Sequence, residues 1–184
     1  MPSITTQRLL GWPSPGSPGS SQEAAFRDKY LVRMNAVPVV KTLWVHRAVR
    51  VHFNALCLFM QKNGEKLGEK VDDWGFANRD IRGFAGIKSY HAFALAGDLE
   101  ALENVLGIRA TTFPIKKTRE VAKLLGMKWG YDYQGRPDPM HFEFTGSRAR
   151  ARWIKSRLVK PTKRSRRLAE LCNMDVKDFC NRIK

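Results

Sequence analysis

Few side chains in this sequence are suited to holding a metal ion, and two of them stand out by spacing. Only four histidines occur: His46, His52, His91 and His141. His91 is followed by Asp98 seven residues on, and His141 is preceded by Asp138 three residues back. Two imidazoles and one carboxylate are a common catalytic set for Zn2+, leaving a fourth position for water. Such a metal lowers the pKa of its water from about 15.7 toward about 7, and an unligated carboxylate nearby can take the proton. Asp138 is the candidate for that carboxylate. The H-x6-D spacing is a weak pattern by itself, because a lone histidine in a strand is more often a satisfied core residue. His46 and His52 fall in or beside an apolar helical run, where packing or surface exposure is the default.

The elements around these residues must place them. From Val39 to Gln61 the chain is dense in apolar residues, and Val45, Val49, His52, Leu56 and Phe59 recur at helical spacing, predicting one core helix. Between Asp72 and His91, short apolar pieces broken by Gly75, Gly83 and Gly86 read as loops near strands. His91 to Leu99 alternates in a way that, in a strand, puts Asp98 on a face of small residues with Ala92, Ala94 and Ala96. Glu100 would share that face and compete as a ligand. IKKTREVAKLL, 115–125, reads as a helix stopped by Gly126. MKWGYDY and MHFEF then form two short strands joined by a loop of hairpin length. Glu143 shares a face with His141, either orienting it or standing as a solvated carboxylate. Trp129, Tyr131 and Tyr133 wall a cleft or pack. The order of elements predicts an α+β fold with a small antiparallel sheet and flanking helices.

Composition sets the frame. The 184 residues are 43% hydrophobic and 10% aromatic, enough for a folded domain. No stretch approaches the roughly 20 apolar residues of a membrane span. The first 22 residues lack a secretory signal pattern, and residues 11–22 are rich in Pro, Gly and Ser, so residues 1–23 are expected to be a flexible arm. Cys57, Cys172 and Cys180 are an odd number without metal-finger spacing, which argues against a disulfide framework and for a reducing compartment. The net charge of +16 attracts polyanions without choosing among nucleic acid, anionic wall polymers and membrane surfaces. Much of it lies in the tail 147–184, which reads as a basic extension with two short helices split by Pro161. The tail lacks an aromatic-interleaved platform or helix-turn-helix spacing, so nucleic acid is not the expected partner.

Longer motifs sharpen this. The stretch S-Y-H-A-F-A-L-A-G-D, Ser89 to Asp98, resembles the S-x-H-x-x-G-x-A-x-D motif of the VanY-like D-alanyl-D-alanine carboxypeptidases and phage L-alanyl-D-glutamate endopeptidases. W-G-Y-D-Y-Q-G-R-P-D-P-M-H-F-E-F, Trp129 to Phe144, resembles that family's second motif. D-D-W-G-F-A-N-R-D-I-R-G, Asp72 to Gly83, is similar to a lead-in of actinobacterial-phage members, and Gly11 to Pro13 resembles their opening. Together these cover roughly residues 9 to 146.

The resemblance implies a hedgehog and DD-peptidase-like catalytic domain over 24–146, with Zn2+ held by His91, Asp98 and His141. It implies Asp138 as general base and Arg79 as the cation that steadies the carbonyl oxygen, with Arg82 the alternative. Ser89, Arg82 and Trp129 are the expected substrate-side residues, Ser89 as a hydrogen-bonding or loop-fixing group. The sequence departs from the family where Ala94 replaces a glycine, where Gly97 replaces an aliphatic residue, and where LEALENVLG replaces an Asn-Pro-rich run. The implied activity is zinc metallopeptidase hydrolysis of peptidoglycan stem peptides, as an endopeptidase or D,D-carboxypeptidase of a phage endolysin or virion-associated lysin. Such a protein is made in the host cytoplasm, reaches the wall through a holin or tail, and acts as a monomer. The tail would dock on anionic wall polymers or a membrane surface. The competing reading is a weak or inactive wall-binding or tail structural protein that retains the fold.

Overall fold

The computed structural model describes residues 10–37, 40 and 42–184. Residues 1–9 of the expected arm, and Val39 at the head of the apolar run, lie outside the described residues. The helices are α1 (Ser21–Tyr30), α2 (Arg50–Lys62), α3 (Ile115–Leu125), α4 (Arg148–Leu158), α5 (Lys163–Leu171) and α6 (Val176–Arg182). The strands are β1 (Leu31–Arg33), β2 (Trp44–His46), β3 (Asp80–Ile81), β4 (Phe84–Lys88), β5 (Ala96–Asp98), β6 (Met127–Trp129) and β7 (His141–Phe144). Short 3-10 turns occupy Tyr90–Phe93 and Gly130–Asp132. All strand pairs among the described residues are antiparallel, and the fold is α+β as expected.

The sheet that carries the candidate ligands has the order β5-β7-β6. Its central strand β7 is buried throughout, and its alternation divides two tasks. Phe142 stacks on Trp129, and Phe144 meets Trp12 and His52 edge-on, which fixes the core face. His141 and Glu143 therefore take the opposite face. The register sets Asp98 opposite His141, Gly97 opposite Phe142 and Ala96 opposite Glu143. The β6–β7 pair is the hairpin predicted from MKWGYDY and MHFEF.

Ten consecutive residues of α2, Val51 to Met60, are buried, so this helix is enclosed on all sides. The helix predicted from Val39 is shorter than the apolar run. Val45 lies in β2, paired with Val32, and the chain turns before α2 through Val49 N–H to His46 C=O and Ala48 N–H to His46 Nδ1. Apolar spacing alone does not reveal a turn built from apolar residues. Helix α3 ends where predicted, on a left-handed Gly126.

Both ends of the described residues join the same core. Trp12, within the expected arm, is buried and donates its indole N–H to Gly146 C=O at 2.8 Å. In the tail, Ile154, Leu158, Leu168, Phe179 and Ile183 are fully buried in the cluster that holds Phe53 and Phe144. Asn54 of α2 donates to the Ile183 carbonyl at 2.9 Å. The tail forms three helices rather than two, because a left-handed Asn173 separates α5 from α6 and Asp175 caps α6. Among the described residues, no helix is long and apolar enough to cross a membrane.

Candidate metal centre

His91, Asp98 and His141 converge although they come from three different elements. His141 opens β7, and Asp98 closes β5 directly across from it. On its other side, Asp98 is clamped by Trp74, whose N–H donates to Asp98 C=O at 2.8 Å and whose C=O accepts from Asp98 N–H at 2.7 Å. His91 sits in the turn Tyr90–Phe93, where Ser89 Oγ accepts from the His91 backbone N–H at 3.0 Å. That turn ends on Ala94 at φ 54°, the left-handed conformation for which the resembling motif carries glycine.

The three ligand atoms form a near-regular triangle. His91 Nε2 lies 3.2 Å from His141 Nδ1 and 3.3 Å from Asp98 Oδ1, and His141 Nδ1 lies 2.9 Å from Asp98 Oδ1. Ligands held about 2.0–2.1 Å from a tetrahedral ion stand about 3.3 Å apart, so the triangle fits one face of such a site. The outer ring nitrogens support the same reading. His91 Nδ1 is 2.6 Å from the Gly75 carbonyl, which makes it the donor and leaves Nε2 with its lone pair. His141 Nε2 is 3.4 Å from Glu143 Oε2, which likewise leaves Nδ1 free to ligate.

The charges are tightly coupled. Burial opposes ionisation of Asp98, but the two imidazoles outweigh it and hold its carboxyl well below the usual range. Burial also opposes charging of His141, yet its hydrogen bonds to Asp98 and Glu143 prevail and raise its pKa to about 10. A positive charge is therefore favoured between these groups.

Asp138 is half-buried, with Oδ1 lacking a hydrogen-bond partner. Burial raises its pKa, against the pull of His141 and His91. It reaches this position through a turn in which His141 N–H donates to Asp138 C=O at 3.0 Å. Gly130 lies beneath that turn, and a Cβ there would come within 2.4 Å of the Asp138 carbonyl oxygen.

The remaining expected residues make contacts of their own. Arg79 is exposed, with its guanidinium 3.4 Å from the Asp80 carbonyl, although its own carbonyl accepts from Ser89 N–H. Arg82 is exposed in the β3–β4 turn. Trp129 is buried, stacked on Tyr131 and Phe142, with its N–H donated to Pro139 C=O at 2.7 Å. Tyr131 is buried as well, whereas the Tyr133 ring lies 6.3 Å from the His141 ring. Glu100 is not a competing ligand: at φ 45° it leaves the strand and its carboxyl meets Glu65 instead. Gly97 lies pressed against the core. A Cβ there would come within 2.8 Å of Leu43 and 2.9 Å of Phe53, so the glycine lets those side chains close over the strand.

Three contributors escaped the sequence reading. Gly75 brings its carbonyl to His91 because its Cα presses on Trp44, where a Cβ would be 2.1 Å from the carbonyl oxygen. Trp74 clamps Asp98 while its indole stays 46% exposed beside the site. Asp73 ties down the following loop by accepting from Glu100 N–H and Gly68 N–H. The available signal was D-D-W-G itself, a compact polar-aromatic-glycine string ahead of His91.

Residues 82–144 match a family model described as D-alanyl-D-alanine carboxypeptidase. The matched stretch contains His91, Asp98, Asp138 and His141 and excludes Arg79 and the tail. No curated protein and no solved structure matches the chain. The matched family and the His-Asp-His trio together suggest a metallopeptidase.

Proposed function

We propose that this chain is a zinc-dependent peptidase that hydrolyses amide bonds in peptidoglycan stem peptides, as a phage lysin. The observation that carries the reading is the trio itself: three convergent ligand atoms, each histidine oriented by an acceptor on its outer nitrogen. Zinc held by His91 Nε2, His141 Nδ1 and Asp98 Oδ1 would supply Lewis-acid chemistry, acidifying a water and polarising the amide carbonyl. Asp138, with its free Oδ1 beside the trio, takes the proton of the attacking water and delivers it to the leaving amine. Arg79, anchored through its backbone to Ser89, offsets the negative charge on the carbonyl oxygen when its exposed side chain closes on substrate, with Arg82 the alternative cation.

Metal analysis is expected to find one zinc per chain, lost in His141→Ala together with hydrolysis of purified peptidoglycan. Asp138→Asn is expected to keep the zinc while kcat falls roughly 10²–10⁴-fold. Full activity in that variant would remove Asp138 from the role of base. Mass spectrometry of the released muropeptides distinguishes D,D-carboxypeptidase from endopeptidase cleavage. A folded protein that binds zinc but leaves every wall substrate intact would favour the wall-binding alternative, and one that binds no metal would overturn the proposal.

A further inference from the structure

The outward surface of α4 and α5 carries more positive charge than its carboxylates pair. Between Arg148 and Ala169 the sequence has ten Lys or Arg and no Asp, Glu, Asn or Gln. The inward residues Ala151, Ile154 and Leu158 are buried, so Arg150, Trp153 and Arg157 form an exposed stripe at helical spacing. Trp153 is 40% exposed, and three guanidiniums surround it. Arg157 Cζ lies 4.1 Å from its ring centroid, Arg150 Cζ 4.7 Å, and Arg164 Cζ, from the next helix, 5.4 Å.

Among the described residues no carboxylate pairs with any of these three arginines. The ion pairs of this region belong to Arg167, with Glu120 and Glu170. Arg164 is steadied by donating to the Leu124 carbonyl, and burial together with the Arg150 and Arg157 charges holds its pKa below the usual range. Three like charges are thus held side by side against their mutual repulsion, with the indole as their common support.

We propose that the Arg150–Trp153–Arg157–Arg164 surface is a docking site for the flexible phosphodiester polymer attached to bacterial cell walls. This rests on the wall-peptidase reading for its choice of partner. The chemistry fits a polyanion held through its phosphates, which guanidiniums bind by paired N–H donors. The surface has no amide or carboxylate to read adenine or cytosine edges, and its hydroxyls are engaged locally, Ser156 donating to Trp153 C=O while Thr162 and Ser165 cap α5, which leaves guanidiniums as its ligand-binding groups. Its single aromatic is already covered by arginine, so it offers neither a row of stacking platforms for single strands nor an apolar wedge for a lipid surface.

The test is titration of the full-length holoprotein with free polyglycerol phosphate, and cosedimentation with walls before and after acid stripping of their phosphodiester polymer. The free polymer has no peptide bond, so its binding is independent of hydrolysis, and failure of either reading is visible separately. Stripped walls are expected to lose binding. Arg150→Gln with Arg157→Gln is expected to weaken polymer binding at least about tenfold and to flatten its salt dependence, each lost phosphate contact removing about one unit or less from the log–log slope. Lys177→Gln with Lys184→Gln, an equal loss of charge elsewhere in the tail, is expected to bind as the native chain does. Equal binding to stripped walls, unchanged affinity in the arginine variant, or equal weakening in the control overturns the proposal. Tighter binding of duplex DNA per phosphate also overturns it, in favour of a nucleic-acid partner.

Discussion

Ala94 and Glu143 show how much of the site depends on single side chains that ligate nothing. Ala94 sits fully buried at φ 54°, a conformation that costs a non-glycine residue roughly 1–2 kcal/mol. Its backbone turns the chain from the His91 segment into the Asp98 strand, and its carbonyl accepts from His46 N–H at 2.8 Å. A β-branched residue fits neither the dihedral nor the space. Ala94→Val is therefore expected to lower stability by more than about 2 kcal/mol in a urea titration. An unchanged midpoint would show that the turn relaxes freely. Glu143 holds the outer nitrogen of His141 from a buried position. Burial works against its charge, but the His141 contact wins and lowers its pKa. Glu143→Gln keeps the shape and removes the charge, so zinc affinity measured by chelator competition is expected to fall about 10–100-fold. Activity lost at limiting zinc should return with excess metal. Its burial already rules out the solvated-carboxylate alternative, and an unchanged affinity would make Glu143 a packing residue rather than one that orients His141.

The loop after β5 shows how an element is held by groups that resemble ligands without being any. Glu100 is buried, and burial together with the Glu65 carboxyl raises its pKa to about 8. The folded chain thus favours the protonated form more than the unfolded chain does. Its contribution to stability is full below about 4.5 and is lost as pH climbs through about 8. Glu100→Gln fixes the neutral state, so the variant should gain melting temperature relative to the native protein as pH rises from about 5 to about 9. A constant difference across that range would show that the pair does not titrate. Such couplings explain what the sequence could and could not reveal. The β6–β7 hairpin, the Gly126 stop and the His91, Asp98 and His141 set were legible because each signal is local or lies within a motif. The position of Glu100 was not, since strand parity ends where the backbone turns left-handed. Nor was the Gly75 carbonyl on His91, a contact sixteen residues apart that depends on an absent Cβ. The turn before α2 was hidden for the opposite reason, in that its residues are as apolar as the helix they precede.

Across the molecule, the boundary between the core that carries the trio and the basic tail is one of composition more than of packing. The sequence marks residue 147 by a jump in charge, and α4 does begin there, capped by Ser147. Yet α2, the most enclosed element, contacts α3 on one side and α4 and α5 on another, and Asn54 from its middle bonds the carbonyl of Ile183. Trp12 closes the same seam by bonding Gly146. Ile154, Leu158, Leu168, Phe179 and Ile183 are each fully buried, and burying such a side chain contributes roughly 1.5–3 kcal/mol. Their sum is comparable to the whole stability of a typical domain, about 5–15 kcal/mol. The tail therefore serves the trio indirectly, by completing the core on which β7 rests through Phe144. Removing residues 147–184 is expected to give a chain that is insoluble or lacks a cooperative thermal transition by circular dichroism, with zinc binding lost as a consequence. The surface variants Arg150→Gln and Arg157→Gln should melt as the native protein does, because those side chains lie outside the core. A truncated chain that melts cooperatively near the native temperature and retains its zinc would show that the core closes without the tail, and that the change in composition at residue 147 is also a boundary of folding.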